Sequence, residues 1–70
     1  MSVFNRIIEE VIAMEVGTIQ EFENYVLDLD GSYIVLKHLF TTSGHLKGYI
    51  EIVEETPATI KIKRIARISN

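Results

Sequence analysis

Apolar residues recur every three or four positions over the first fifteen residues. The recurring positions are Val3, Phe4, Ile7, Ile8, Val11, Ile12 and Met14. A helix brings residues with this spacing onto one face, so the pattern predicts an amphipathic helix over residues 2–15. Ser2 is a suitable N-cap, and Gly17 is placed to end the helix in a left-handed conformation.

After Gly17, β-branched and aromatic residues dominate in three runs, which is typical of strands. Asp30 and Gly31 separate the second run from the third. This dipeptide favours a two-residue turn, in which both central residues need positive φ, and it predicts a hairpin over residues 25–38. Residues 18–28 also fit a short second helix, because Thr18 begins a capping-box pattern there. Both interpretations of that segment stay open.

Two further strands are predicted in the second half of the chain. Residues 45–54 alternate apolar and polar side chains, with Gly48 allowing a bulge, and residues 59–63 alternate after a turn at 56–58. The apolar spacing then becomes three, which indicates a bulge or a 3₁₀ turn near Lys63 and Arg64.

Together these elements predict one α+β domain over residues 1–70. An N-terminal amphipathic helix is followed by a bent antiparallel sheet of four or five strands, a meander over about 18–68. The predicted core comprises Phe4, Ile7, Ile8, Val11, Val26, Leu27, Ile34, Leu36, Leu46, Ile50, Ile52, Ile60, Ile62 and Ile65.

The order of elements resembles small barrels of the SH3 and Sm-like kind at the level of architecture. Two patterns carry the resemblance: Leu46-x-Gly48-x-Ile50 and Ile60-x-Ile62-x-x-Ile65-x-x-Ile68. The resemblance implies a sheet that closes into a small barrel, and an open bent sheet is the alternative.

The predicted strand over residues 33–40 is apolar on both faces, which one helix cannot cover. Either the sheet curls over its second face or a second copy of the protein covers it. We therefore expect a homo-oligomer. The predicted interface residues are Tyr33, Val35, Lys37 and Leu39.

Composition strengthens this expectation. The chain has 70 residues, 47% of them hydrophobic, and no cysteine. Chains of this length bury a small core and often need a disulfide, a metal or a partner subunit, and the first of these is excluded. No apolar run could span a membrane and no signal peptide is evident, so we expect a cytoplasmic protein.

The charge distribution suggests a second kind of partner. Seven acidic residues and one basic residue lie within residues 1–30, whereas three acidic and six basic residues lie within residues 31–70. Lys61, Lys63, Arg64 and Arg67 form a basic cluster that could bind an anion such as nucleic acid. A pI of about 5.2 and the lack of an interleaved aromatic residue argue against nucleic acid.

No motif points to catalysis, a cofactor or a metal. The Asp28–Ser32 segment lacks the glycine and glutamate positions of a calcium loop, and His38 and His45 are expected at a strand end and in a loop. The leading hypothesis is a non-enzymatic interaction module that forms a homo-oligomer and recognises a protein partner. A nucleic-acid binder and a sensor with a small-ligand pocket between subunits are the alternatives.

Overall fold

The computed structural model describes residues 3–66, which form two helices and five strands. In chain order the elements are α1 (Val3–Ala13), β1 (Ile19–Glu23), β2 (Tyr25–Leu27), β3 (Tyr33–Val35), α2 (Leu36–Thr42), β4 (Ile50–Glu55) and β5 (Thr59–Arg64). The predicted α+β class, an N-terminal helix followed by antiparallel sheet, is confirmed.

Helix α1 has the predicted amphipathic pattern and is slightly shorter than expected. Val3, Ile7, Ile8 and Val11 are buried along one face, because their spacing brings them to one side of the helix. Gly17 has a φ of +94°, but it lies four residues beyond the end of α1. It belongs to a turn that the Thr18 amide closes by donating to the Glu15 carbonyl oxygen. Ser2 lies outside the described residues.

The five strands divide between two antiparallel sheets. Three strands pair in the order β1-β5-β4, and β2 pairs with β3 in a separate hairpin. Residues 18–28 therefore contain two strands, β1 and β2, rather than a second helix. The two sheets do not join into a closed barrel within residues 3–66, because the chain leaves the first sheet at Asn24 and enters the second.

The hairpin turn is longer than predicted. The last pair of the hairpin joins Leu27 to Tyr33, which leaves a loop of residues 28–32 instead of a two-residue turn. Within it the Gly31 amide donates to the Asp28 carbonyl oxygen, and Gly31 has a φ of +89°. The glycine thus has the predicted left-handed conformation in a different turn.

The strand predicted to extend to residue 40 ends at Val35, and residues 36–42 form α2 instead. The buried residues of this helix are Leu36, Leu39 and Phe40. They are spaced by three and four positions, which places all three on one side of a helix. The Phe40 ring meets Phe22 of β1 edge to face, with 5.6 Å between centroids. Burial against β1 therefore favours helix over strand here.

In the second half of the chain, β4 begins later than predicted. Residues 44–49 form successive turns, in which Gly48 has a φ of +87°, and β4 starts at Ile50. The shift in pairing lies between Ile52 and Glu54 of β4, not at Lys63 and Arg64, where β5 remains paired.

The core lies between α1, α2 and the inner face of the three-stranded sheet. Its buried apolar residues are Val3, Ile7, Ile8, Val11, Leu36, Leu39, Phe40, Leu46, Ile60 and Ile62. Phe4 and Leu27 were predicted to be core residues, and both are exposed. The core prediction omitted Val3, Leu39 and Phe40. The other predicted core residues are buried or half-buried.

Candidate functional site

The β2–β3 hairpin exposes four large apolar side chains on one face. They form two directly opposed pairs, Tyr25 with Val35 and Leu27 with Tyr33. Their exposed fractions are 53% for Tyr25, 56% for Leu27, 70% for Tyr33 and 38% for Val35. We call these four residues the hairpin face.

The opposite face of the same hairpin holds it on the molecule. Val26 and Ile34 pair across the strands and pack, half-buried, against the core. Because successive side chains of a strand point to opposite faces, burial of these two residues turns the hairpin face outward. An isolated two-stranded hairpin is only marginally stable in water, so this attachment matters.

Asn24 fixes the hairpin to the rest of the fold. Within residues 3–66 it is the one polar residue that is buried. Its carbonyl oxygen accepts a hydrogen bond from the Leu36 amide and its Oδ1 accepts one from the Lys37 amide, at 2.8 and 3.1 Å. These are the first two amides of α2, which lack partners within the helix. Its own amide donates to Ala58, and its Nδ2 donates to Thr56.

A groove of about 560 Å³ adjoins the hairpin face. Phe4 of α1 and Leu39 of α2 line it together with β3, and His38 and Thr42 lie along its α2 side. The groove is continuous with the hairpin face because Tyr33 and Val35 belong to both. The apolar surface therefore extends from the hairpin to the two helices.

The structure brings together two of the four predicted interface residues. Tyr33 and Val35 lie on the hairpin face, whereas Leu39 is 4% exposed in the core. Lys37 pairs with Glu55 of β4, with 3.2 Å between Nζ and the carboxylate. Sequence reasoning missed Tyr25 and Leu27, whose alternation with Val26 was the available signal.

The predicted anion-binding residues are separated by the alternation of β5. Lys61 and Lys63 lie on the outer face of the three-stranded sheet, and Lys61 Nζ is 3.9 Å from Glu21 and 3.8 Å from Glu54. Lys63 lies directly opposite Glu51 on the neighbouring strand β4. Arg64 is two residues after Ile62 in β5 and so lies on the same face of the strand as the buried Ile60 and Ile62. Arg67 lies outside the described residues. Anion binding by this cluster stays a prediction.

The hairpin loop uses its acidic side chains locally. Asp30 Oδ1 accepts hydrogen bonds from the Ser32 hydroxyl and the Ser32 amide. These bonds, the hydroxyl first, hold the pKa of the exposed Asp30 carboxyl below its ordinary value of 3.8. Asp28 Oδ1 accepts from the Leu29 amide.

His38 lies in α2 and not at the end of a strand, and His45 lies in the turn region as expected. Within residues 3–66, no three histidine or acidic side chains lie close enough together to hold a metal ion. No helix in the same range is long and apolar enough to cross a membrane.

Comparison of the chain with protein-family models, curated proteins and solved structures finds no match.

Proposed function

We propose that the protein is a non-enzymatic interaction module that self-associates through its hairpin face. The observation that supports this is the exposure of four adjacent apolar side chains on a hairpin whose other face is already packed. Contiguous exposed apolar patches are typical of protein interaction surfaces.

The composition of the hairpin face suits a second copy of the same chain. A two-fold interface places the same patch on both subunits, so it must be complementary to itself. The hairpin face contains no charged residue, so two copies can meet without like charges opposing each other. Its two tyrosines supply large contact area with little side-chain entropy to lose, which is typical of interface centres.

A protein partner would then use the remaining apolar groove. The groove wall formed by Phe4 of α1 and Leu39 of α2 adjoins the hairpin face without belonging to it. His38 and Thr42 offer polar groups along this wall. An apolar groove with a few polar groups along it fits a peptide segment that presents apolar anchors.

The test is the solution mass of the wild type and of Leu27→Glu, measured by light scattering over a range of concentrations. We expect the wild type at twice the 8.0 kDa of one chain or more, and the variant at 8.0 kDa with its circular dichroism unchanged. A glutamate at this exposed position leaves the core intact but places two carboxylates in the interface.

Val53→Glu is the matched control. Val53 is also an exposed apolar strand residue, but it lies on β4 in the other sheet. We expect this variant to keep the wild-type mass. A monomeric wild type, or dissociation by Val53→Glu with Leu27→Glu unaffected, would contradict the proposal.

Three further expectations rest on the sequence alone. Nucleic-acid binding by Lys61, Lys63, Arg64 and Arg67 remains the alternative, although Glu21 and Glu54 lie near Lys61. Residence in the cytoplasm also remains an expectation. A small-ligand sensor remains the third hypothesis.

A further inference from the structure

A second cavity, of about 340 Å³, shares no lining residue with the groove beside the hairpin face. It is lined by Ile12 of α1, by Gly44, His45 and Tyr49 of the turn region, and by Arg64 at the end of β5. We call it the Arg64 cavity. Its lining combines a cation, an imidazole, an aromatic ring and an aliphatic side chain.

The guanidinium of Arg64 is held in a fixed position. Its Nη1 donates to the carbonyl oxygens of Tyr49 and Ile65, the first at 3.2 Å. The guanidinium carbon lies 4.9 Å from the centre of the Tyr49 ring, a cation–π contact. These two bonds leave the N–H groups of Nη2 and Nε without a hydrogen bond within residues 3–66. A guanidinium fixed in this way loses little further side-chain entropy when it binds a ligand.

The positive charge of Arg64 has no carboxylate partner among residues 3–66. The ion pairs of that range join Lys37 and Lys61 to glutamates, and Arg64 takes part in none. Its Nε is buried and makes no hydrogen bond there. A partly desolvated cation without an anion is unfavourable, and a bound anion would relieve this.

The other lining groups indicate what kind of anion fits. His45 adds a ring N–H donor at the same cavity, and the Tyr49 ring and Ile12 provide apolar contact. If the oxyanion of a ligand binds Arg64 and His45, the rest of the ligand can contact the apolar lining formed by Ile12 and the Tyr49 ring. Arginine binds the oxygens of phosphate and carboxylate through paired N–H groups, which lysine does not.

We propose that the Arg64 cavity binds a small organic molecule through its phosphate or carboxylate group, with Arg64 as the main donor and His45 as the second. The site is independent of self-association through the hairpin face. The proposal gives the residues of the basic cluster different roles. Arg64 binds the ligand, whereas Lys61 and Lys63 lie on the outer face of the sheet.

The first experiment is a titration of the ¹⁵N-labelled wild type, followed by ¹H–¹⁵N NMR at constant ionic strength in sodium chloride. The probes are inorganic phosphate, phenyl phosphate and benzoate, which separate the two oxyanions and the contribution of an apolar body. We expect saturable shifts of the Gly44, His45 and Tyr49 amides and of the Arg64 Nε–H, with phenyl phosphate or benzoate binding more tightly than inorganic phosphate. Absence of saturation, or shifts confined to Lys61 and Lys63, would overturn the proposal.

The second experiment changes the cavity without removing the structural bonds of Arg64. Gly44 has no positive φ, and a Cβ added there would meet nothing within 4 Å, so Gly44→Glu and Gly44→Gln should both fold. The glutamate supplies a competing carboxylate, whereas the glutamine is its neutral match. We expect Gly44→Glu to weaken binding of the tightest probe by about tenfold or more, and Gly44→Gln by less than about threefold. Equal affinities of the two variants would show that the charge of Arg64 is not what binds the probe.

Discussion

Asn24 shows how one side chain determines the arrangement of several elements. Its backbone and side chain together form four hydrogen bonds, two to the start of α2 and two to the β4–β5 turn. Val35, at the N-cap position of α2, has no side-chain cap of its own. Asn24 therefore caps the helix from a distant part of the chain, and sequence reasoning from local capping patterns did not identify it.

Replacing Asn24 with alanine should lower the free energy of unfolding by about 2 kcal/mol, because the Lys37 amide and the Thr56 carbonyl oxygen lose their partners in a partly buried place. Urea denaturation followed by circular dichroism measures the change. Gln20→Ala, at an exposed position of β1, is the control and should differ from wild type by less than about 0.5 kcal/mol. An Asn24→Ala variant as stable as the control would contradict the assigned role.

Leu27 shows how sensitive the surface is to the register of one hairpin. A two-residue turn at Asp30 and Gly31 would place Leu27 opposite Ile34, whereas the observed loop places it opposite Tyr33. A shift of one residue in one strand exchanges its faces. The sequence predicted the hairpin, but the turn that decides which side chains are exposed depends on hydrogen bonds within residues 28–32.

Among the elements, α1 and β5 follow clear periodicities and were predicted, whereas α2 was not. Six of the eight residues from Tyr33 to Phe40 are apolar, and so short an apolar run fits a strand or a helix equally well. Contacts with β1 and the capping by Asn24 decide between them. In the helix, the Thr41 and Thr42 hydroxyls donate to carbonyl oxygens of Lys37 and His38.

Because α2 is a helix, Leu39 should contribute to stability and not to self-association. Leu39→Ala should lower the free energy of unfolding by about 3 kcal/mol through loss of buried contacts. His38→Ala, at an exposed position of the same helix, should change it by less than about 0.5 kcal/mol. Both are compared with wild type by urea denaturation at one protein concentration. A Leu39→Ala protein of unchanged stability and reduced mass would restore the strand interpretation.

At the scale of the whole molecule, the candidate surface is only partly visible in the sequence. The segment 33–40 is apolar on both faces, which one helix cannot cover, and this pattern predicts an exposed apolar surface that includes Tyr33 and Val35. Tyr25 and Leu27 on the neighbouring strand and the groove at Phe4 require the observed packing of α1, α2 and the hairpin. The separation of Arg64 from Lys61 and Lys63 likewise depends on which face of β5 is buried.

If self-association stabilises the fold, the melting temperature should rise with protein concentration. For a chain of this size that unfolds as it dissociates, we expect an increase of about 10 °C over a hundredfold range. Leu27→Glu should melt at a temperature independent of concentration. Scanning calorimetry measures both, and a wild type without concentration dependence would indicate that association does not support the folded state.

The strand order also has a consequence for how the protein is made. In the three-stranded sheet, the central strand β5 follows both of its neighbours in the chain. On the ribosome, β1 and β4 are therefore synthesised before the strand that joins them, and neither has its partner until β5 emerges. Assembly of this sheet must wait for β5, and β1 remains unpaired within it while some 35 residues are added between the two strands.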